Sequence, residues 1–159
     1  MKLIKPKAEL LLQQPGLEGV YKQIELAGRT CYRSTNKITE DSAKPFVDRM
    51  INSKHTAMLE HGTVYLAMPI ESVIPIEHNG WGKYYINPYS KSGIICKING
   101  EKRVAVTTNL RVLVENDWLD DLKYICEPTE YHEKRYTFRL TTSIGVTREL
   151  NRHKLLCGA

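Results

Sequence analysis

Two clusters of ionisable residues stand out in this sequence, one near its middle and one near its end. The first is the run His55-Thr56-Ala57-Met58-Leu59-Glu60-His61. Imidazole and carboxylate groups in a loop that opens a strand could donate and accept hydrogen bonds to a ring cofactor. Alternatively, they satisfy polar groups of the nearby backbone.

The second cluster is the run Arg148-Glu149-Leu150-Asn151-Arg152-His153-Lys154. Arg148 and Arg152 are four residues apart, so they are neighbours on a helix surface and repel each other, and a bound anion would relieve this repulsion. Alternatively, Glu149 pairs with His153, and the cations compensate the negative end of the helix dipole. This second explanation accounts for the stretch taken alone.

The histidines and cysteines do not predict a metal site. His55, Glu60 and His61 would need a third or fourth ligand at suitable geometry, and the remaining histidines have no informative spacing. The cysteines are widely separated, without a Cys-x-x-Cys pair, which favours reduced, packed thiols. They are Cys31, Cys96, Cys126 and Cys157.

Two further stretches could approach a ligand. In the first, residues 27–34, Gly28 between Ala27 and Arg29 could admit a ligand or another backbone closely, or the stretch could be an ordinary cationic helix end. The second contains aromatic side chains that could stack on a nucleobase or pterin, or could cover the edge of a core. These are Trp81, Tyr84, Tyr85 and Tyr89.

The periodicity around these residues predicts an α+β fold with an antiparallel sheet flanked by helices. Strands are expected near 63–68, 94–98, 103–106 and 134–144, and helices near 17–30, 40–53, 108–115, 117–125 and 145–155. The Asn99-Gly100 pair predicts a β-hairpin. The run Thr107-Thr108-Asn109 can cap one helix and Thr39 another, although Pro45 fits a helix from Thr39 badly. Before the first helix, Leu10-Leu11-Leu12 indicates an edge strand or a short packed segment, closed by Pro15-Gly16.

Length and composition limit the class of protein. A chain of 159 residues with 42% apolar content predicts a single domain over 1–159 with a real core. We expect a cytoplasmic protein, because no stretch has the length of a membrane span and residues 1–6 do not resemble a signal peptide. The net charge of +5 is compatible with phosphate-bearing ligands, and we predict neither nucleic-acid nor membrane binding.

Together, these features resemble the flavin-dependent thymidylate synthases. In that family, a His-x-x-x-x-Glu-His loop precedes a core strand, as His55 to His61 does here. A later Arg-His-Arg, followed by seven residues and a serine, forms the family signature, and Arg152-His153-Lys154 is similar to its first part. The stretch 27–32 also resembles the family's early helix end, so the resemblance covers nearly the whole chain.

The resemblance implies a homotetramer that binds FAD across subunit interfaces and converts dUMP to dTMP. Methylenetetrahydrofolate would donate the carbon, and NADPH would reduce the flavin. His55, Ala57 and Glu60 would lie beside the flavin, while Glu149 and Arg152 would meet dUMP. The flavin would be held by the signature residues Arg152, His153 and Lys154. The family uses no protein nucleophile, so no catalytic side chain is assigned and Cys157 has no catalytic role.

The sequence departs from the family near its end. Lys154 stands where the family usually has arginine, which replaces a planar fork of donors with a point charge. The signature serine and the segments after it have no counterpart, so we expect a C-terminally truncated member with little or no turnover. Apolar surface that those segments would cover should then drive association or instability. The alternative function is a non-catalytic flavin-binding, nucleotide-binding or oligomerising chain.

Overall fold

The computed structural model describes residues 5–73, 82–98 and 100–150. The chain divides into two units, Gln13–Lys134 and the combination of Met1–Leu12 with Arg135–Ala159. Both α-helices and antiparallel strands are present, so the predicted α+β class is confirmed. Within the described ranges, none of the helices has the length and apolar character needed to cross a membrane.

The elements follow one another in chain order. The strands are β1 (Lys7–Leu11), β2 (Thr63–Pro69), β3 (Lys91–Ile98), β4 (Glu101–Asn109) and β5 (Thr137–Thr141). The α-helices are α1 (Gly16–Cys31), α2 (Ala43–Asn52), α3 (Ile70–Val73), α4 (Lys83–Ile86), α5 (Leu110–Glu115) and α6 (Ile144–Leu150). Short 3₁₀ helices cover Thr35–Lys37, Thr56–His61 and Leu119–Tyr124.

The Gln13–Lys134 unit contains an antiparallel sheet in the order β2-β4-β3. The predicted hairpin at Asn99-Gly100 is confirmed, because Ile98 pairs with Glu101 across it. Gly100 has a φ of 85°, a conformation that glycine adopts without steric cost. The hairpin joins β3 to β4, and on the other side of β4 Leu66 of β2 lies opposite Val106.

One face of this sheet forms the core with α1 and α2. Val64, Leu66 and Met68 alternate along β2 and are fully buried, as predicted. They share one hydrophobic cluster with side chains of both helices, and burial of each such side chain contributes about 1.5–3 kcal/mol. The helix and sheet members of the cluster include Val20, Ile24, Phe46, Val47, Val104 and Val106.

Helix α2 begins later than predicted. It starts at Ala43, so the proposed N-cap at Thr39 is wrong, and Pro45 falls in the first turn, where a missing backbone N–H costs no helical hydrogen bond. The Ser42 hydroxyl accepts a hydrogen bond from the Thr39 backbone N–H at 2.8 Å and lies 2.9 Å from Glu25 Oε2. These bonds hold the chain in a turn before the helix.

Two helices expected later in the chain also differ. The segment predicted as a helix near 117–125 is a 3₁₀ helix over Leu119–Tyr124, preceded by Asp117 with a φ of 59°. Of the helix predicted near 145–155, the structure describes α6 over Ile144–Leu150, and the remainder lies outside the described residues.

The second unit contains β1 and β5 as an antiparallel pair. We predicted β5 in the same sheet as β2, β3 and β4, and this was wrong. The side chains of β1 complement those of β5 across the pair. The apolar Leu10 lies opposite the apolar Phe138, and Arg139 Nε donates a hydrogen bond to Glu9 Oε2 at 2.8 Å. Leu10, Phe138 and Leu140 are 47%, 57% and 50% exposed, so the apolar face of this pair remains open.

Candidate functional site

The first cluster of ionisable residues forms a 3₁₀ turn between α2 and β2. The His55 backbone N–H donates to Met50 O at 2.9 Å and closes the end of α2. Leu59, inside the turn, is fully buried in the core. A Cβ on Gly62 would lie 2.5 Å from Cδ1 of Ile24, so any larger residue would displace the buried side chain of Ile24 where the turn passes against α1. The core therefore fixes the turn at both ends.

The exposed side of the turn carries the predicted flavin-contacting residues. His55 and Ala57 are exposed, and Glu60 is partly buried. Because side chains three residues apart align along a 3₁₀ helix, Ala57 and Glu60 lie on one edge of the turn. The structure thus brings these three predicted residues together within a single turn.

Arg111 of α5 holds Glu60. Its Nη1 donates to Glu60 Oε1, and its Nε donates to Glu115 Oε1 at 2.7 Å. The Thr56 hydroxyl donates to the same Glu115 oxygen at 2.6 Å, so the four side chains form a network that joins the turn to α5. Within the described ranges, Glu60 Oε2 accepts no hydrogen bond from the protein and remains available as an acceptor.

Helix α5 is positioned by local signals that include the predicted cap. Asn109 Oδ1 accepts a hydrogen bond from the Val112 backbone N–H at 3.0 Å, as predicted for a capping asparagine. The Leu110 backbone N–H donates to Gly62 O at 3.0 Å, which places the start of α5 beside the end of the turn. Arg111 was missed in the sequence, because its i,i+4 spacing to Glu115 does not indicate a contact with Glu60.

The charges of the network shift the pKa values of its members. The hydrogen bond from Thr56, followed by that from Arg111, lowers the pKa of Glu115. The carboxylates of Glu115 and Glu60 raise the pKa of Arg111. Desolvation lowers the pKa of His61, and the adjacent Glu60 partly offsets that effect. The network itself places the carboxyl groups of Glu60 and Glu115 around the single guanidinium of Arg111.

The small residues at the end of α1 serve helix packing. A Cβ on Gly28 would lie 2.6 Å from Cζ of Phe46, so glycine allows α1 to approach that ring. Arg29 is buried, its Nε donates to Glu25 Oε1 at 2.5 Å, and its guanidinium carbon lies 5.1 Å from the centroid of the Phe46 ring. The space at Gly28 is therefore occupied by Phe46.

The aromatic stretch is divided between the core and the surface. Tyr84 is fully buried and donates its hydroxyl to Asp121 Oδ2 at 2.6 Å, which agrees with the alternative that it covers the core and not with a place on an open stacking surface. Burial and the Asp121 carboxylate raise the pKa of Tyr84. Tyr85 and Tyr89 are exposed, and Trp81 lies outside the described residues.

The second ionisable cluster is described only in part. Glu149 lies near the end of α6 and is exposed. The predicted residues Arg152, His153 and Lys154 lie outside the described residues.

His132 stabilises the fold close to Cys126. Its Nδ1 accepts from the Thr129 backbone N–H at 3.1 Å, so Nε2 carries the proton and donates to Leu66 O at 3.1 Å. Cys126 Sγ lies 3.8 Å from that protonated nitrogen, which therefore cannot accept the thiol proton. Across the part of the chain that is described, no three metal-ligating side chains come together.

No family model, curated protein or solved structure matches this chain. The residue pattern and the local geometry therefore carry the functional assignment.

Proposed function

We propose that this chain is a flavin-dependent thymidylate synthase-like protein that binds FAD at the Thr56–His61 turn. Its reaction would methylate dUMP to dTMP, with methylenetetrahydrofolate as the carbon donor and NADPH as the reductant. The proposal includes the family's fold, a homotetramer and a cytoplasmic location. It rests on one observation, the Glu60 carboxylate held by Arg111 beside the exposed His55 and Ala57.

The side chains of the turn suit the edge of a flat heteroaromatic ring. Ala57 has no atoms beyond Cβ, so a planar group can approach the backbone there. Glu60 Oε2 can accept from a ring N–H, and His55 can donate or accept. When bound, FAD would carry the reducing equivalents of NADPH to the transferred carbon.

The chain's own contribution would be orientation and charge. Arg111 fixes the Glu60 carboxylate before the ligand arrives, which reduces the entropy lost on binding. In line with the family resemblance, Arg152, His153 and Lys154 would hold the flavin. Glu149, together with Arg152, would meet dUMP. Fixed cations suit both a nucleotide phosphate and an electron-rich reduced ring.

Substitution of Ala57 tests where FAD binds. Ala57→Leu adds bulk on an exposed turn, so we expect unchanged folding and at least about tenfold weaker FAD binding, measured by flavin fluorescence titration. Thr35→Leu, at an exposed site in another 3₁₀ helix, is the matched control and should bind FAD like the unsubstituted chain. Equal FAD affinity for both variants would remove the turn from the site.

Formation of dTMP is a separate test of the reaction. The purified chain is incubated with dUMP, methylenetetrahydrofolate, FAD and NADPH, and dTMP is measured by chromatography. FAD-dependent production of dTMP would support the full activity. FAD binding without dTMP formation would favour a second candidate function, a non-catalytic flavin-binding role.

The second candidate is a non-catalytic flavin-binding, nucleotide-binding or oligomerising role. The observation that favours it is the open apolar face of the β1–β5 pair, because exposed apolar patches mark interaction surfaces and two-stranded sheets are marginal alone. Its exposed members are Leu10, Leu12, Tyr136, Phe138 and Leu140.

Phe138→Ser tests this second candidate. The variant should shift the chain to a later gel-filtration volume than the unsubstituted protein, since it removes an apolar contact from a 57% exposed position. Lys5→Ser, at another exposed position in the same unit, is the control. An unchanged elution volume for Phe138→Ser would argue against association through this face.

A further inference from the structure

An open pocket of about 370 Å³ lies toward the far end of β2 from the Thr56–His61 turn. Ala67, which lines it, follows Gly62 by five residues, about 16 Å along an extended strand. Its other lining residues belong to β4, to the end of the 3₁₀ helix Leu119–Tyr124 and to the two residues that follow this helix. They include Glu101, Arg103, Lys123, Tyr124 and Ile125.

The segment carrying Tyr124 and Ile125 is fastened along the free edge of β2. Ile125 forms a β-bridge with Leu66, and the Cys126 backbone N–H donates to Tyr65 O at 2.9 Å. His132 Nε2 donates to Leu66 O from the following loop. One wall of the pocket is therefore held in place by hydrogen bonds to the backbone of β2.

Arg103 provides a fixed guanidinium at the pocket. Its Nη1 donates to Ala67 O at 3.3 Å, and its Nη2 donates to Glu101 Oε2 at 2.6 Å. The side chain of Glu101 is 68% exposed, so its ion pair with Arg103 is solvated and weak. An incoming anion would therefore compete with a loosely held carboxylate.

Lys123 adds a second cation beside an aromatic ring. Its ammonium lies 5.1 Å from the centroid of the Tyr124 ring. Within the described part of the chain, it forms no ion pair with a carboxylate. The lining thus contains two cations and one carboxylate, together with apolar surface from Ala67 and Ile125.

We propose that this pocket binds a small organic anion, a carboxylate or phosphate on a flat apolar body. The anionic group would meet Arg103 and Lys123, because a guanidinium fork suits both head groups. The flat body would lie against Tyr124 and Ile125. The volume falls within the range of about 300–1,000 Å³ that is usual for ligand pockets. This site is separate from the proposed FAD site.

The test titrates the ¹⁵N-labelled full chain with phenyl phosphate, benzoate and inorganic phosphate. Saturable shifts of the Arg103, Lys123 and Tyr124 amide signals are expected with both aromatic anions, and their relative affinities identify the preferred head group. Lys123→Gln should weaken binding about tenfold, the effect of losing one charge-assisted contact. Lys102→Gln, at an exposed position outside the pocket lining, should change it less than about twofold.

Three results would overturn the proposal. Absence of saturation below about 10 mM of either aromatic anion would remove the site. Equal weakening by Lys123→Gln and Lys102→Gln would show general attraction of anions to a basic surface. Binding of inorganic phosphate as tightly as phenyl phosphate would show that the apolar wall makes no contribution.

Discussion

Replacement of Arg111 by methionine removes the guanidinium that links the Thr56–His61 turn to α5. The variant keeps most of the aliphatic stem but loses the bonds to Glu60 and Glu115. Both carboxylates then accept hydrogen bonds from water in place of the guanidinium, while the Thr56 hydroxyl continues to donate to Glu115. The expected result is a folded protein of lower stability whose Glu60 carboxylate is no longer oriented.

The expected loss of stability in Arg111→Met follows from the solvent exposure of the side chains that form the two ion pairs. The side chains of Arg111, Glu60 and Glu115 are 35%, 31% and 41% exposed, so solvent screens both ion pairs. Pairs of this kind contribute about 0.2–1 kcal/mol each, which gives a total loss of about 1 kcal/mol. For a chain of this length, that loss lowers the melting temperature by about 2–4 °C.

A double-mutant cycle isolates the contact that matters for the site. Urea unfolding is followed by circular dichroism for Arg111→Met, Glu60→Gln and the double variant, and a coupling energy of about 0.5 kcal/mol is expected. The control cycle uses Lys44 and Asp48, an i,i+4 pair joined at 2.7 Å with side chains 69% and 45% exposed. Its coupling should be about 0.3 kcal/mol or less.

Either of two results would refute this reasoning. Zero coupling between Arg111 and Glu60 would mean that the carboxylate is not held in solution. A loss above about 3 kcal/mol for Arg111→Met would mean that the network is far less solvated than its exposure indicates.

The remaining predictions concern packing and pH. Gly28→Ala should lower the free energy of unfolding by about 1–2 kcal/mol, because the clash of the added methyl group with the Phe46 ring outweighs the gain in helix propensity. In the Phe46→Leu background, the same substitution should cost less. A Gly28→Ala variant that is more stable than the unsubstituted protein in urea unfolding would contradict this prediction. Burial lowers the pKa of His132, so its stabilising contribution is complete above its ordinary pKa of 6.5 and is lost as the pH falls below that value. The urea midpoints of His132→Gln and of the unsubstituted protein are therefore compared at about pH 7.5 and about pH 5, and the midpoint of the variant should change less between the two pH values. An equal change in both proteins would show that His132 is not the group whose protonation destabilises the fold.

Local signals in the sequence predicted much of the Gln13–Lys134 unit. The alternation of Val64, Leu66 and Met68 predicted the core face of β2, and Asn99-Gly100 predicted the hairpin. The run Thr107-Thr108-Asn109 predicted a helix cap close to the start of α5, and Asn109 is that cap, because a capping side chain acts within three residues. Each of these signals is contained in a short stretch of chain.

Contacts between distant segments were not predictable from such signals. The bond from Arg139 to Glu9 joins residues 130 positions apart, and alternation in β5 does not indicate that β1 is its partner. The bond from Arg111 to Glu60 spans 51 positions, so the group that orients Glu60 was missed. Tyr84 lies in a loop-like stretch of the sequence, and Asp121, which accepts the hydrogen bond from its buried hydroxyl, is 37 positions away.

The most direct measurement of the central claim is an absorbance spectrum of the purified chain after incubation with FAD and gel filtration. Binding at the Thr56–His61 turn predicts that flavin absorbance elutes with the protein and that Glu60→Gln reduces the bound fraction. Glu127→Gln, at an exposed position outside the network, should retain the flavin of the unsubstituted protein. A colourless protein peak, or equal flavin content in both variants, would contradict the assignment of this turn as the FAD site.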